Sequence, residues 1–207
     1  DLDLIVSGYA KGGIRYFQNT GTKFIQKQLT ESSDLIYADK VQIEDVNQDG
    51  LNDLILLNGG FQHLKKSPAL EDLILINQNG KFTTQSINAQ IASVGSCLID
   101  MEQDGTKELI IFPKMKVGAY GLPASGVVLH KEKDAYNINS QQSGSLDTMG
   151  MFTDVEFKRN GNQQKIILAP SFGPLKFYTH QPSSLDFNQV EFPNIEKISG
   201  MWQNIKL

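Results

Sequence analysis

Between Val41 and Asn58 the chain reads VQIEDVNQDGLNDLILLN, which sets Asp45, Asn47, Asp49 and Asp53 around a single glycine, Gly50. Oxygen donors at alternate positions of a tight turn are what a hard divalent cation takes. Ca²⁺ gathers six to eight oxygens at about 2.3–2.6 Å from carboxylates, carboxamides and main-chain carbonyls. Counted from Asp45, side-chain donors fall at the first, third, fifth and ninth positions, Gly50 permits the bend, and Leu51 offers its carbonyl. Leu56 stands where an EF-hand places its bidentate glutamate, and strand-like runs flank the loop instead of helices. The pattern is therefore an EF-like loop joining two strands. A second stretch, DMEQDGTKE, repeats the design with Asp100, Glu102, Asp104, Gly105, the Thr106 carbonyl and Glu108. Four carboxylates so close repel one another without a cation. The competing reading is a solvated polar turn, for which Asp-Gly suffices. Any Ca²⁺ here is expected to be structural, clamping a loop and doing no chemistry. In DVEFKRNGNQQK, Lys158 and Arg159 occupy ligand positions, so that loop is expected to hold no metal, and Asp1 and Asp3 end a further loop.

The elements that must carry these loops recur along the chain. DLDLIVSG, LNDLILLNGG and TKELIIFP each set an acid (Asp3, Asp53, Glu108) before an apolar run, and QQKIILAP keeps the run without the acid. The interval is roughly 50–57 residues. Each run is followed by a strand pattern, a polar turn and an aromatic that opens another strand: Phe24, Phe82, Tyr136 and Phe187. A further strand precedes each acidic loop, in VQIEDV, SCLIDM, MFTDVEF and MWQNIKL. No helical period is visible. About four short strands per unit is the pattern of β-propeller blades. The predicted fold is all-β, one propeller region over 1–207 with units near 1–45, 46–100, 101–157 and 158–207. Four blades would close a small ring, and about seven a larger one of which this chain is a part. The chain opens on Asp1 rather than Met, and is expected to be a segment of a longer protein whose signal peptide lies elsewhere.

Composition narrows the function. The net charge is −4 and the pI about 5.4, so there is no basic footprint for nucleic acid or an acidic membrane surface. No apolar run reaches the length of a membrane helix. Cys97 is the single cysteine and sits in SCLID, which reads as a buried structural thiol. His63, His130 and His180 have no zinc-binding spacing, His180 falls in a hairpin turn, and His130 with Glu132 reads as a solvent-facing pair. No nucleophile elbow or phosphate-cradling loop is present.

Strand order also predicts where a partner binds. In antiparallel units the acidic loops emerge at one end, and the long connections 59–72 and 112–126 at the other. Long loops on a rigid scaffold carry binding residues. That end would gather His63, Lys65, Lys66, Lys114, Lys116, Tyr120, Phe152 and Trp202, a cationic and aromatic rim suited to a sugar or an acidic peptide.

The motif D-x-N-x-D-G-x-x-D-L-I-L at Asp45–Leu56, within such units, resembles the FG-GAP/VCBS repeats of integrin-like β-propellers. LILINQNGKF, GMFTDVEF, GMWQNIKL and the loop GAYGLPASG resemble the ASPIC/UnbV-type branch of bacterial surface proteins. The resemblance spans essentially the whole chain and departs in the fourth unit. It implies a calcium-dependent propeller at the cell surface or outside the cell, binding or adhering to a protein or carbohydrate. Two alternatives stand beside it: the propeller part of a polysaccharide lyase or hydrolase, and a scaffold for a neighbouring domain.

Overall fold

The computed structural model describes residues 2–7, 13–30, 38–59, 67, 70–87, 89, 91–133, 135–160, 163–180, 187–191, 199–200 and 202. The architecture is all-β. Strands β1 (Leu4–Val6), β2 (Arg15–Asn19) and β3 (Phe24–Lys27) form an antiparallel sheet. There follow β4 (Lys40–Glu44), β5 (Asp53–Leu57), β6 (Asp72–Gln78) and β7 (Lys81–Ile87), each antiparallel to the next. The same order repeats in β8 (Ala92–Ile99), β9 (Glu108–Met115), β10 (Val127–Glu132) and β11 (Ala135–Ile138). These two runs share one sheet of eight strands, joined at a single parallel pairing of Tyr136 with Ile87. A further four-stranded sheet holds β12 (Phe152–Asn160), β13 (Gln163–Pro170), β15 (Lys176–His180) and β16 (Phe187–Val190). Beside it, β14 (Gly173–Pro174) pairs with β17 (Ser199–Gly200). The described strands thus make sheets of three, eight, four and two strands, where the sequence predicts four separate sheets of four.

The eight-stranded sheet curls until its edge strands meet. Gln42 on β4 donates from Nε2 to the Ser96 carbonyl on β8 at 3.0 Å. Its Oε1 accepts from the Ser96 N–H at 2.7 Å and from the Ser96 hydroxyl at 3.0 Å. The result is a nearly closed, barrel-like sheet with Ile55, Leu57, Ile74, Leu109, Ile111, Leu129 and Tyr136 packed together between its halves.

That packing explains why β5 and most of β9 are apolar and buried along their length. A strand covered on one face alternates, whereas one covered on both has no polar face to keep. In β5, Ile55 and Leu57 join this inner cluster, while Leu54 and Leu56 pack with Ile14, Leu29 and Leu75 on the other side. In β9, Leu109 and Ile111 join it, while Ile110 and Phe112 pack with Val155, Ile166 and Leu168 of the next sheet. Each such side chain, once fully buried, contributes about 1.5–3 kcal/mol. Where β8 meets β12, the ladder of β8 shifts register around Ser93 and Gly95. A Cβ on Gly95 would lie 1.9 Å from Val155 Cγ1, so only glycine lets the strands come so close.

Phe24, Phe82, Tyr136 and Phe187 lie in β3, β7, β11 and β16, as the aromatic signal predicts. Two local expectations are corrected. A short helix, α1 (Ser140–Ser143), continues into a 3-10 turn at Gly144–Leu146 before β12. Asn139 caps it, accepting from the Gln142 N–H at 3.1 Å and donating to Gln142 Oε1 at 2.7 Å. One turn is too short to leave a period in the sequence. His180 does not sit in the turn; it ends β15, buried against Phe187. Among the described residues no helix is long and apolar enough to cross a membrane.

Candidate functional site

The loop between β4 and β5 is built by its acids. Asp45 accepts from the N–H groups of Asp49 (3.1 Å) and Gly50 (3.0 Å), one on each carboxylate oxygen. Asn47 Oδ1 accepts from the Asp49 N–H at 3.0 Å, and Asp49 Oδ1 from the Leu51 N–H at 2.8 Å. Such short side chains replace backbone partners in turns. Gly50 takes φ +85°, the left-handed region a glycine enters without strain, and Gln48 is at +63°. Asp53 opens β5 fully buried, accepting from Val46 N–H (2.9 Å) and Asn77 N–H (2.8 Å).

The β8–β9 loop has the same wiring. Asp100 accepts from the N–H groups of Asp104 (3.1 Å) and Gly105 (3.0 Å), Asp104 from Thr106 (2.7 Å), and buried Glu108 from Met101 (2.8 Å). Gln103 and Gly105 repeat the positive φ angles, at +59° and +89°. The loops touch, Gln48 Nε2 donating to the Gly105 carbonyl at 3.1 Å. One ligand position diverges: Glu102 accepts at Oε1 from Gln142 Nε2 at 2.9 Å, outside its own loop. Burial raises the proton affinity of Glu108. Its hydrogen bonds oppose that, and Asp104 and Glu102 add to it.

Tyr136 is buried close to both loops. Desolvation, with smaller contributions from the charges of Asp53 and Glu108, pushes its pKa up to about 12. Its hydroxyl is buried without a hydrogen-bond partner among the described residues. In donor chemistry the first loop suits a hard cation: three carboxylates, the Asn47 carboxamide and the Leu51 carbonyl, beside an orphaned phenol. Among the described residues, no three His, Cys, Asp or Glu side chains converge as a metal-holding group. Asp45 and Asp49 spend oxygens on loop N–H groups, while Asp53 is drawn into the core.

At the opposite end of the strands lies a polar cluster that the sequence reading passed over. Lys114 pairs with Asp39 at 3.2 Å, and Asp39 accepts from the Gly59 N–H at 3.1 Å. Asp72 is fully buried, accepting from the Asn58 N–H at 2.7 Å and from the Ser93 hydroxyl. Desolvation pushes its pKa up to about 7. The Ser93 and Asn58 hydrogen bonds oppose that shift, and the charge of Asp39 adds to it. Asp72 carries the same signal as Asp53, an acid opening an apolar run, in EDLILIN.

Of the proposed ligand-face residues, Lys116 lines a cavity of about 270 Å³ with Ile91, Met115, Val117 and Pro123. Tyr120 is 67% exposed on the same loop, with Leu122 nearby at 53%. Phe172, at 68% exposed, is an aromatic of this end that the sequence reading missed. Lys114 is half-buried in its ion pair. Phe152 leaves the set: it is fully buried in the core, with the Lys176 ammonium 5.7 Å from its ring centre. Trp202 is half-buried and donates from its indole N–H to the Gly173 carbonyl at 2.8 Å. His63, Lys65 and Lys66 lie outside the described residues.

His130 and Glu132 pair at 2.8 Å on β10, with Glu132 exposed. Cys97 is buried, and burial, aided by the charge of Glu44, pushes its thiol well above the usual range. It lines a second cavity, between the eight-stranded sheet and β12–β13. No protein-family model matches the chain, and neither does any curated protein.

Proposed function

We propose that the chain is a calcium-stabilised, propeller-type binding module working outside the cell or at its surface. It captures a protein or glycan at the end opposite the acidic loops. The observation that carries this reading is the matched pair of loops, with the same bends, the same carboxylate-to-N–H bonds and a buried acid closing each. Asp45, Asn47, Asp49, Asp53 and the Leu51 carbonyl would hold one ion; Asp100, Glu102, Asp104, Glu108 and the Thr106 carbonyl would hold a second. Bound calcium supplies positive charge against crowded carboxylates, and millimolar extracellular calcium fills weak sites of this kind. The blade reading rests on the three apolar clusters, which alternate with the strand runs as they would between blades stacked face to face. On this reading, the single Tyr136–Ile87 pairing is a contact between blade rims rather than a true ladder.

The test is the thermal midpoint of the purified chain in saturating calcium and in chelator, beside Asp49→Ala. Calcium at about a hundred times its Kd adds roughly 2.7 kcal/mol, a rise of about 5–10 °C for a chain of this size. Asp49→Ala is expected to lose that rise. A midpoint indifferent to calcium in both proteins overturns the metal reading. Lys116→Ala with Tyr120→Ala should abolish ligand capture and leave the calcium response intact.

A further inference from the structure

Side chains alternate along β7, so Phe82 and Thr84 share a face. It is the face that looks towards the three-stranded sheet: Leu75, directly opposite Thr84, packs there with Leu29, Leu54 and Leu56, and Phe82 packs against the same cluster. Beside that cluster lies a cavity of about 580 Å³, with Phe82 and Thr84 on one wall and Gln28 and Thr30, just past β3, on the other. Its rim is the tip of the β6–β7 hairpin at Gln78 and Lys81. That tip is held without any ligand. Asn79 and Gly80 take φ +55° and +88°, the two positive values a type I′ turn requires. Asn77 Oδ1 accepts from the Gly80 N–H at 2.8 Å, and its Nδ2 donates to the Asn52 carbonyl at 3.0 Å. A rim fixed in advance spares part of the ordering cost of binding.

The lining also has a definite chemistry. Among the described residues it contains no carboxylate, and its one cation, Lys81, is exposed at the rim. The other polar side chains are hydroxyls and carboxamides, which both donate and accept. Phe82, half-buried, gives the single aromatic surface. A charged ligand finds no buried counter-charge here, and a wholly apolar one would leave hydroxyls and amides unpaired. We propose that this cavity binds a neutral sugar of one or two pyranose rings, with a ring face on Phe82 and its hydroxyls shared with Thr84 and Gln28. The volume falls within the range of small-molecule pockets, about 300–1,000 Å³. None of its lining residues belongs to the ligand end proposed above, so the two sites are tested separately.

The experiment is saturation-transfer NMR with calorimetric titration of the full chain. The probes are maltose, cellobiose, lactose and diacetylchitobiose, with sodium glucuronate as the charged comparison. The expected result is millimolar binding of at least one neutral disaccharide and weaker binding of glucuronate. Thr84→Val removes a hydroxyl from an exposed position with little change of shape, and Phe82→Leu removes the ring while keeping an apolar side chain for the cluster. Each should weaken binding about threefold or more. Thr84→Val should leave the thermal midpoint unchanged, and Lys81→Gln should bind within twofold of the parent. No binding of any neutral disaccharide overturns the site. So does undiminished binding by Thr84→Val, whatever Phe82→Leu does to the fold. Glucuronate binding more tightly than the neutral sugars, and losing that advantage in Lys81→Gln, overturns the neutral assignment.

Discussion

Asp72 sets the sharpest expectation at the scale of one side chain. Its carboxyl ionises near pH 7 in the folded protein against 3.8 ordinarily. Below about pH 4 both folded and unfolded chains hold the proton, and the burial carries no charge penalty. As pH rises towards 7 the unfolded chain ionises while the folded one keeps its proton, so stability falls, by an amount on the order of a few kcal/mol. Above about pH 7 the loss is complete. Asp72→Asn keeps an acceptor for the Asn58 N–H and an amide for the Ser93 hydroxyl. Denaturant titrations from pH 4 to 8 should show a slope in the parent that this variant flattens; equal slopes would count against it. The turn around Gly50 was legible because its polar residues lie within nine positions and Asp45, Asn47 and Asp49 bond within the loop. The Asp72–Ser93 pair was not, because its members are 21 residues apart and meet only through the sheet.

Strands were the most legible elements: an acid followed by an unbroken apolar run marks β5 and β9, covered on both faces, and also β1, where Leu4 and Val6 are exposed. Legibility failed where an element is one turn long, as in α1, and where a pairing depends on distant chain, as in β14 with β17. The crossing of β8 over β12 is of the second kind, and nothing in SVGSCLI announces that Gly95 must admit Val155. Gly95→Ala should destabilise the protein by about 1–3 kcal/mol through overpacking. Val155→Ala, made alone, loses packing and is also destabilising, but the two changes together should cost clearly less than their sum. Additive costs in a double-mutant cycle would contradict the contact.

Across the whole molecule, the order of strands was legible and the partition into sheets was not. Lys40 reaches Asp154, 114 residues away, at 2.8 Å, a contact no local pattern encodes. Protection should follow depth. Every residue of β5 is buried, and β9 is buried at all but Lys114, whereas β7 and β11 alternate with exposed positions. Hydrogen exchange by mass spectrometry is therefore expected to release β7 and β11 amides before those of β5 and β9. Simultaneous release would mean that the eight-stranded sheet opens as a unit, and the single Tyr136–Ile87 seam would then be stronger than one pairing implies.

Cys97 gives the molecule a clock of its own. It is the only thiol in the chain, 6% exposed, and it lines the cavity between the eight-stranded sheet and β12–β13. A thiol held in its protonated form and shielded from solvent reacts with an alkylating reagent mainly when the surrounding strands part. One mass increment therefore times one opening event. The same label, followed over hours in a native sample, reads out how often β8 separates from its neighbours, with no substitution in the chain.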